Sequence, residues 1–354
     1  MYTNVVIVGL FPLCFAIVLA EDHDNWHWFL SCIRRIVAMD RNITFISDRS
    51  PGLLEAMPKV FPEASHAFCL QHLMVNLRAS LVGMHPNERE HLIFLFAKCA
   101  YAPTIEEFDK VMGDLTREGC RKIIQFLDGL CPENWANAYF GGRRYGEMCS
   151  NAIESFNSWI REQRHLPITQ LVDSIRIKIM NQMSRRKCKA KEWKGIICPN
   201  MDARLEKAFR DGRSWVVSTA GDDLFEVHST PSVSVDISKH ICSCGQWQLN
   251  LFPCSHAVCA IRKSGRDLDT FVDKDFYVST YLLAYNDCIQ PIPTLWMRKE
   301  VDKTDVIVPP RARKQPGRPK KLRIKSSGEK IKKIKCGRCG KFGNHNKKTC
   351  KEAL

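Results

Sequence analysis

His240-Ile241-Cys242-Ser243-Cys244-Gly245-Gln246-Trp247-Gln248-Leu249-Asn250-Leu251-Phe252-Pro253-Cys254-Ser255-His256 decides how the rest of the chain is read. Three cysteines and one histidine stand at C-x-C-x9-C-x-H. Three thiolates and one imidazole close a tetrahedron around Zn²⁺, and two ligand pairs joined by a short connection can wrap one ion. Trp247, Leu249, Leu251 and Phe252 lie between the pairs and are expected to form a small core over the metal. Pro253 fixes the approach to the second pair.

Upstream, Ser214 to Thr219, Leu224 to His228 and Ser232 to Ile237 read as short strands leading into this stretch. Downstream, Ala257 to Ile261 continues as a helix. Tyr277, Tyr281, Leu282 and Tyr285 mark a second helix, ended by Pro291 and Pro293. The Cys-x-Cys, Gln-Trp, Pro-Cys and Ser-His pieces resemble a SWIM zinc finger, here assigned to residues 210–285.

The N-terminal half alternates strand and helix signals. Phe11 to Leu19 has the apolar, partly β-branched character of a central strand. Trp26, Phe29, Leu30, Ile33 and Val37 recur at helical spacing and predict a helix over 25–38. Ile43 to Ile46 is the next strand, with Asp48 at its C-terminal end. Gly52 and Pro58 bracket a short helix, and Ala67 to Cys69 is a strand running into a helix from Gln71 to Leu81. Strand, helix, strand, helix is an α/β pattern. From about 84 to 148 the periods are helical, and 150–162 predicts another helix with Phe156, Trp159 and Ile160 on its apolar side.

The run Val5 to Ala20 is almost wholly apolar, yet no Lys or Arg precedes it and Pro12 interrupts it. A secretory leader normally carries a basic n-region, and a membrane span needs about 20 residues. It therefore reads as two buried strands with a turn near Gly9, and no membrane association is expected. The alternative, a secreted protein, predicts glycosylation at Asn42-Ile43-Thr44. The 17 cysteines are odd in number, and several sit in helical or apolar surroundings such as Cys32 and Cys99. That usage fits metal sites in a reducing compartment rather than a disulfide framework.

The words Phe11-Pro12-Leu13, Trp26-x-Trp28-Phe29-Leu30, Ile46-Ser47-Asp48-Arg49, Cys69-x2-His72-Leu73 and Asn151-Ala152-Ile153-Glu154-Ser155-Phe156-Asn157 occur in that order. With the zinc stretch they resemble the Mutator-like (MULE) transposases of plants. The resemblance implies an α/β fold: a truncated RNase H-like core over 1–185, interrupted by a helical insertion at about 84–148. It also implies an Asp-Asp-Glu triad, in which Asp48 matches the second Asp and Glu154 the Glu. The first Asp belongs upstream of Phe11, where Met1 to Leu10 contain no acidic residue. Two-metal phosphoryl transfer needs converging carboxylates. The expectation is a degenerate transposase that is not an enzyme. The alternative is an active transposase whose N-terminal exon is missing from this sequence. Cys69 and His72 match the Cys-x2-His word, as either a metal pair or a buried structural pair.

Net charge is +15, of which residues 301–354 carry +14, with 18 Lys or Arg and 4 Asp or Glu. A basic tail on a near-neutral body points to a polyanion, DNA or another nucleic acid, and to the nucleus. Within it, 286–335 reads as a flexible basic linker containing Pro and Gly. Pro316-Gly317-Arg318-Pro319-Lys320-Lys321 resembles an AT-hook core, with Arg318, Lys320 and Lys321 as the nucleic-acid contacts. Cys336-x2-Cys339-x5-His345-x4-Cys350 resembles a zinc knuckle over 336–350, one residue longer than usual before the His. Two Zn²⁺ sites are thus expected, on an α+β finger and on a knuckle in the basic tail.

Overall fold

The structure, a computed structural model, describes residues 2–4, 10–37, 42–292 and 333–352. Its N-terminal part is built on a βαβ unit. Strands β3 (Thr44–Ser47) and β4 (Ser65–Phe68) pair in parallel, with Thr44 opposite Ser65 and Ser47 opposite Phe68. Parallel neighbours require a crossover, and helix α2 (Pro51–Val60) supplies it. Pro51 opens α2, where its missing N–H costs nothing, while Pro58 sits inside the last turn instead of bounding the helix. Helix α1 (His23–Arg34) is capped by the Asp22 carboxylate, which accepts from the Asn25 backbone N–H at 2.9 Å. Leu30 and Ile33 of α1 pack on Leu53, Ala56 and Met57 of α2, with Phe45 and Phe61 closing this core.

The run expected to be a central strand is corrected here. Only Leu10–Pro12 is extended, as β2, and it pairs antiparallel with β1 (Tyr2–Asn4) as a separate two-stranded sheet. Residues 13–20 carry no strand, and Leu19 is 96% exposed. Pairing stops at Pro12, which has no N–H to donate, and no described strand lies beside 13–20 to receive the rest of the run. Residues 5–9, including the expected turn near Gly9, lie outside the described residues. No described strand joins the two pairs into one larger sheet.

Helix α3 (Leu70–Ser80) is the helix expected from Gln71 to Leu81. Helices α4 (Pro86–Tyr101) and α5 (Ile105–Leu127) fill the first part of the stretch expected to be helical over about 84–148, whereas 128–148 consists of turns with one 3-10 turn at Pro132–Asn134. Thr104 caps α5 by accepting from the Glu107 N–H, and Glu106 and Glu107 complement the helix dipole. Their core is centred on Trp135, stacked 4.6 Å from Phe96. Helix α6 (Asn151–Trp159) packs Phe156 against Ile175 and Ile179 of the long helix α7 (Ile168–Lys191).

Helix α8 (Pro199–Gly212) follows, and then a four-stranded antiparallel meander. Its strands are β5 (Val216–Thr219), β6 (Leu224–His228), β7 (Val233–Asp236) and β8 (Ile241–Cys242). On β6 and β7 burial alternates with period two, so Phe225, Val227, Val233 and Val235 face one core. Short α9 (Gln246–Asn250), α10 (Ser255–Ser264) and α11 (Val278–Ala284) complete this part. A small two-stranded unit, β9 (Ile334–Lys335) with β10 (Phe342–Gly343), carries the C-terminal cysteines. Among the described residues no helix is long and apolar enough to cross a membrane.

Candidate metal centres and the remnant carboxylate site

The meander delivers Cys242 at the end of β8. Gly245, at φ +74°, then turns the chain so that its N–H reaches the Cys242 carbonyl at 2.9 Å. Its missing side chain matters as well, since a Cβ there would lie 2.9 Å from the Pro103 carbonyl oxygen. Gln248 clamps the same strand, accepting from the Cys242 N–H and donating to the Cys242 carbonyl at 3.0 Å. Cys254 caps α10, its sulfur accepting from the Ala257 N–H at 3.5 Å, and His256 follows in the first turn. A helix N-terminus favours the thiolate form that a metal requires.

The four donor atoms of Cys242, Cys244, Cys254 and His256 lie within 4.8 Å of one another. Cys244 and Cys254 sulfurs are 3.6 Å apart, and His256 Nδ1 is 3.8 Å from the Cys242 sulfur and 4.0 Å from that of Cys254. A tetrahedral zinc with usual bond lengths sets such edges at about 3.8 Å between sulfurs and about 3.6 Å from sulfur to nitrogen. The set fits Zn²⁺. The thiols share protons: hydrogen bonds with Cys242 and Cys254 push Cys244 down, and those with Cys242 and Cys244 push Cys254 up. A cation would replace those shared protons.

The apolar residues of the zinc stretch do not form one core over the metal. Trp247 points into the sheet core with Phe225 and Val235, while Phe252 belongs to the core of α8 and α11. Leu249 and Leu251 are only half-buried. The loop is thus pinned on two sides by two large aromatics. A further support went unread in the sequence: the Trp215 indole stacks on the His256 ring at 4.5 Å and 19°. Trp215 precedes β5 by one residue, 41 positions before the ligand it covers, and no local pattern links them.

The second cluster unites Cys336, Cys339, His345 and Cys350, again with donor atoms within 4.8 Å of one another. Gly340, at φ +72°, donates its N–H to the Cys336 carbonyl at 2.9 Å, closing a turn that presents both cysteines. His345 Nε2 lies 3.2 Å from the Cys339 sulfur. The added residue before His345 is absorbed after β10, and the donors still converge. Arg318, Lys320 and Lys321 lie outside the described residues, as do 293–332 generally.

Asp48, Cys69, His72 and Glu154 come to one end of the βαβ unit for a topological reason. Parallel strands place their C-terminal ends side by side, so Asp48 after β3 neighbours Cys69 after β4, whose N–H donates to the Ser47 carbonyl at 2.7 Å. Residues 148–150 lie against the same end. Leu70 N–H reaches the Met148 carbonyl at 2.9 Å, and Ser150 N–H reaches the Cys69 sulfur at 3.2 Å. That anchors the start of α6 and brings Glu154 to within 4.0 Å of His72 Nε2. The Cys149 thiol and the Ser150 N–H hold Cys69 low. Burial pulls His72 down, but Cys69, Asp48 and Glu154 outweigh it and raise its pKa. Glu154 thus faces a half-exposed histidine on which Asp48 also acts electrostatically. Neither belongs to a described group of three donors within 4.8 Å of one another.

Comparison with known proteins agrees with this division. A family model described as MULE transposase domain matches residues 6–76, which include Asp48, Cys69 and His72. Another, described as SWIM zinc finger, matches residues 227–265, which include all four ligands of the first cluster. No curated protein and no solved structure matches the chain. Residues 6–76 thus resemble a MULE transposase domain and residues 227–265 a SWIM zinc finger.

Proposed function

We propose that the protein is a transposase-derived, zinc-dependent nucleic-acid-binding protein of the nucleus that performs no strand transfer. The observation that carries the zinc half is the convergence of two separate Cys₃His donor sets, one on each side of the basic segment. The first would hold its ion at the finger and the second at the knuckle. In each, the ion would supply structural cross-linking, with no open position for chemistry. The nucleic-acid half rests on charge: residues 301–354 carry +14, and Arg318, Lys320 and Lys321 are its proposed minor-groove contacts.

Ligand number stands against catalysis. Glu154 lies 4.0 Å from His72 and Asp48 acts on the same ring electrostatically, but two-metal phosphoryl transfer needs further converging carboxylates. The second reading, an active transposase, is favoured by the approach of Glu154 to His72 at the strand end that carries Asp48. Titration of duplex DNA onto the purified zinc-loaded chain, followed by incubation with Mg²⁺ and transposon-end DNA, separates the readings. Salt-sensitive binding without cleavage is expected. Cleavage abolished by Glu154→Gln would establish the active enzyme instead.

A further inference from the structure

The near-neutral body is not uniform. From Ser174 to Lys191, within α7, there are seven Lys or Arg and no Asp or Glu. Four of the seven are tied down. Arg176 pairs with Asp173, and Lys178 donates to the Trp159 carbonyl at 2.6 Å and to Gln163. Arg186 donates to the Tyr285 hydroxyl, and Lys187 to the Asn286 carbonyl. Arg185, Lys189 and Lys191 are exposed and have no acidic partner among the described residues. The helix dipole accounts for cations only in the last turn, so it leaves Arg185 unexplained.

We propose that Arg185, Lys189 and Lys191 on α7 form a second nucleic-acid surface, binding the phosphate backbone independently of the tail. Arg185 and Lys189 are one turn apart, about 6 Å along the helix, and so project from one side, with Lys191 round the helix from them. The apolar side of α7 is occupied by the α6 contact through Ile175 and Ile179, so it is not free to enter a lipid surface. The inference rests on the nucleic-acid reading above but places part of the binding outside residues 301–354.

The test uses the full zinc-loaded chain and a random-sequence DNA duplex, with affinity measured against salt. Arg185→Gln/Lys189→Gln/Lys191→Gln should make the log–log salt slope shallower by about 2 to 3, at about 0.9 per lost phosphate contact. Melting temperature and zinc content should stay unchanged. Arg185→Lys/Lys189→Arg/Lys191→Arg, which keeps the charges, should retain the parent slope. An unchanged slope in the Gln variant overturns the inference. If, in addition, Arg318→Gln/Lys320→Gln/Lys321→Gln weakens binding, the tail reading still stands alone. No binding of the parent chain to DNA, with binding to polyglutamate instead, overturns both in favour of an acidic protein partner.

Discussion

The Tyr145 hydroxyl donates to the Asp275 carboxylate at 2.8 Å, across 130 residues of chain. Tyr145 lies in the loop before α6, and Asp275 lies in the turn after α10. The Tyr145 ring also meets Phe276 edge-on at 5.8 Å, and Phe11 meets Tyr285 at 5.3 Å. The α/β half is therefore packed against the core beside the zinc finger.

Tyr145→Phe removes the hydroxyl and leaves the ring. It should lower stability by about 1 kcal/mol, the usual worth of one such bond. A double-mutant cycle with Asp275→Ala, read by thermal melting, should show coupling of similar size. Additive losses would mean the bond is idle in solution.

Trp247 is 1% exposed and fills the sheet core while flanking two zinc ligands. Trp247→Ala should cost about 3–5 kcal/mol, as large aromatic truncations do. Denaturant unfolding followed by circular dichroism would read it. Trp28, 53% exposed, is the contrast: Trp28→Ala should change stability by less than about 0.5 kcal/mol.

His66 gives a pH dependence. Burial holds its pKa down at about 4, against a slight upward pull from Asp48, and its Nε2 sits 2.8 Å from the Ser47 hydroxyl. The unfolded chain takes up this proton near pH 6.5, while the folded chain resists until about pH 4. Its contribution is therefore complete above pH 6.5 and is lost as pH falls from 6.5 to 4. The full difference is at most about 3 kcal/mol. His66→Gln should flatten stability across that window, and an unchanged slope would remove His66 from the account.

Cys254→Ser should lower zinc binding by one ion per chain and unfold the region from about 214 to 285. A structural zinc supplies much of the folding free energy of such a module. Hydrogen exchange would show protection lost on β5–β8 and kept on α3–α5. Retained protection in the meander would mean that its apolar core suffices without the metal.

Both ligand sets were legible in sequence because they are local in the chain: Cys242 to His256 and Cys336 to Cys350 each span one short loop. Strands β6 and β7 were legible for a similar reason, since period-two burial is written residue by residue. The strand over 13–19 was not, because an apolar run says nothing about whether a partner strand exists to receive it. Helix α8 was missed: its buried side rests on few positions, Leu205 and Ala208 among them, too sparse a stripe to mark a period. The Trp215–His256 stack and the Tyr145–Asp275 bond depend on tertiary packing alone. Asp48 and Glu154 were singled out by family words alone, whereas the approach of Glu154 to His72 depends on the packing of residues 148–150 against the end of β4.

Elemental analysis of the purified, folded chain tests the central claim most directly. The account predicts two zinc ions per chain, falling to one in Cys254→Ser and to one in Cys339→Ser. A well-folded chain that contains no zinc would contradict it.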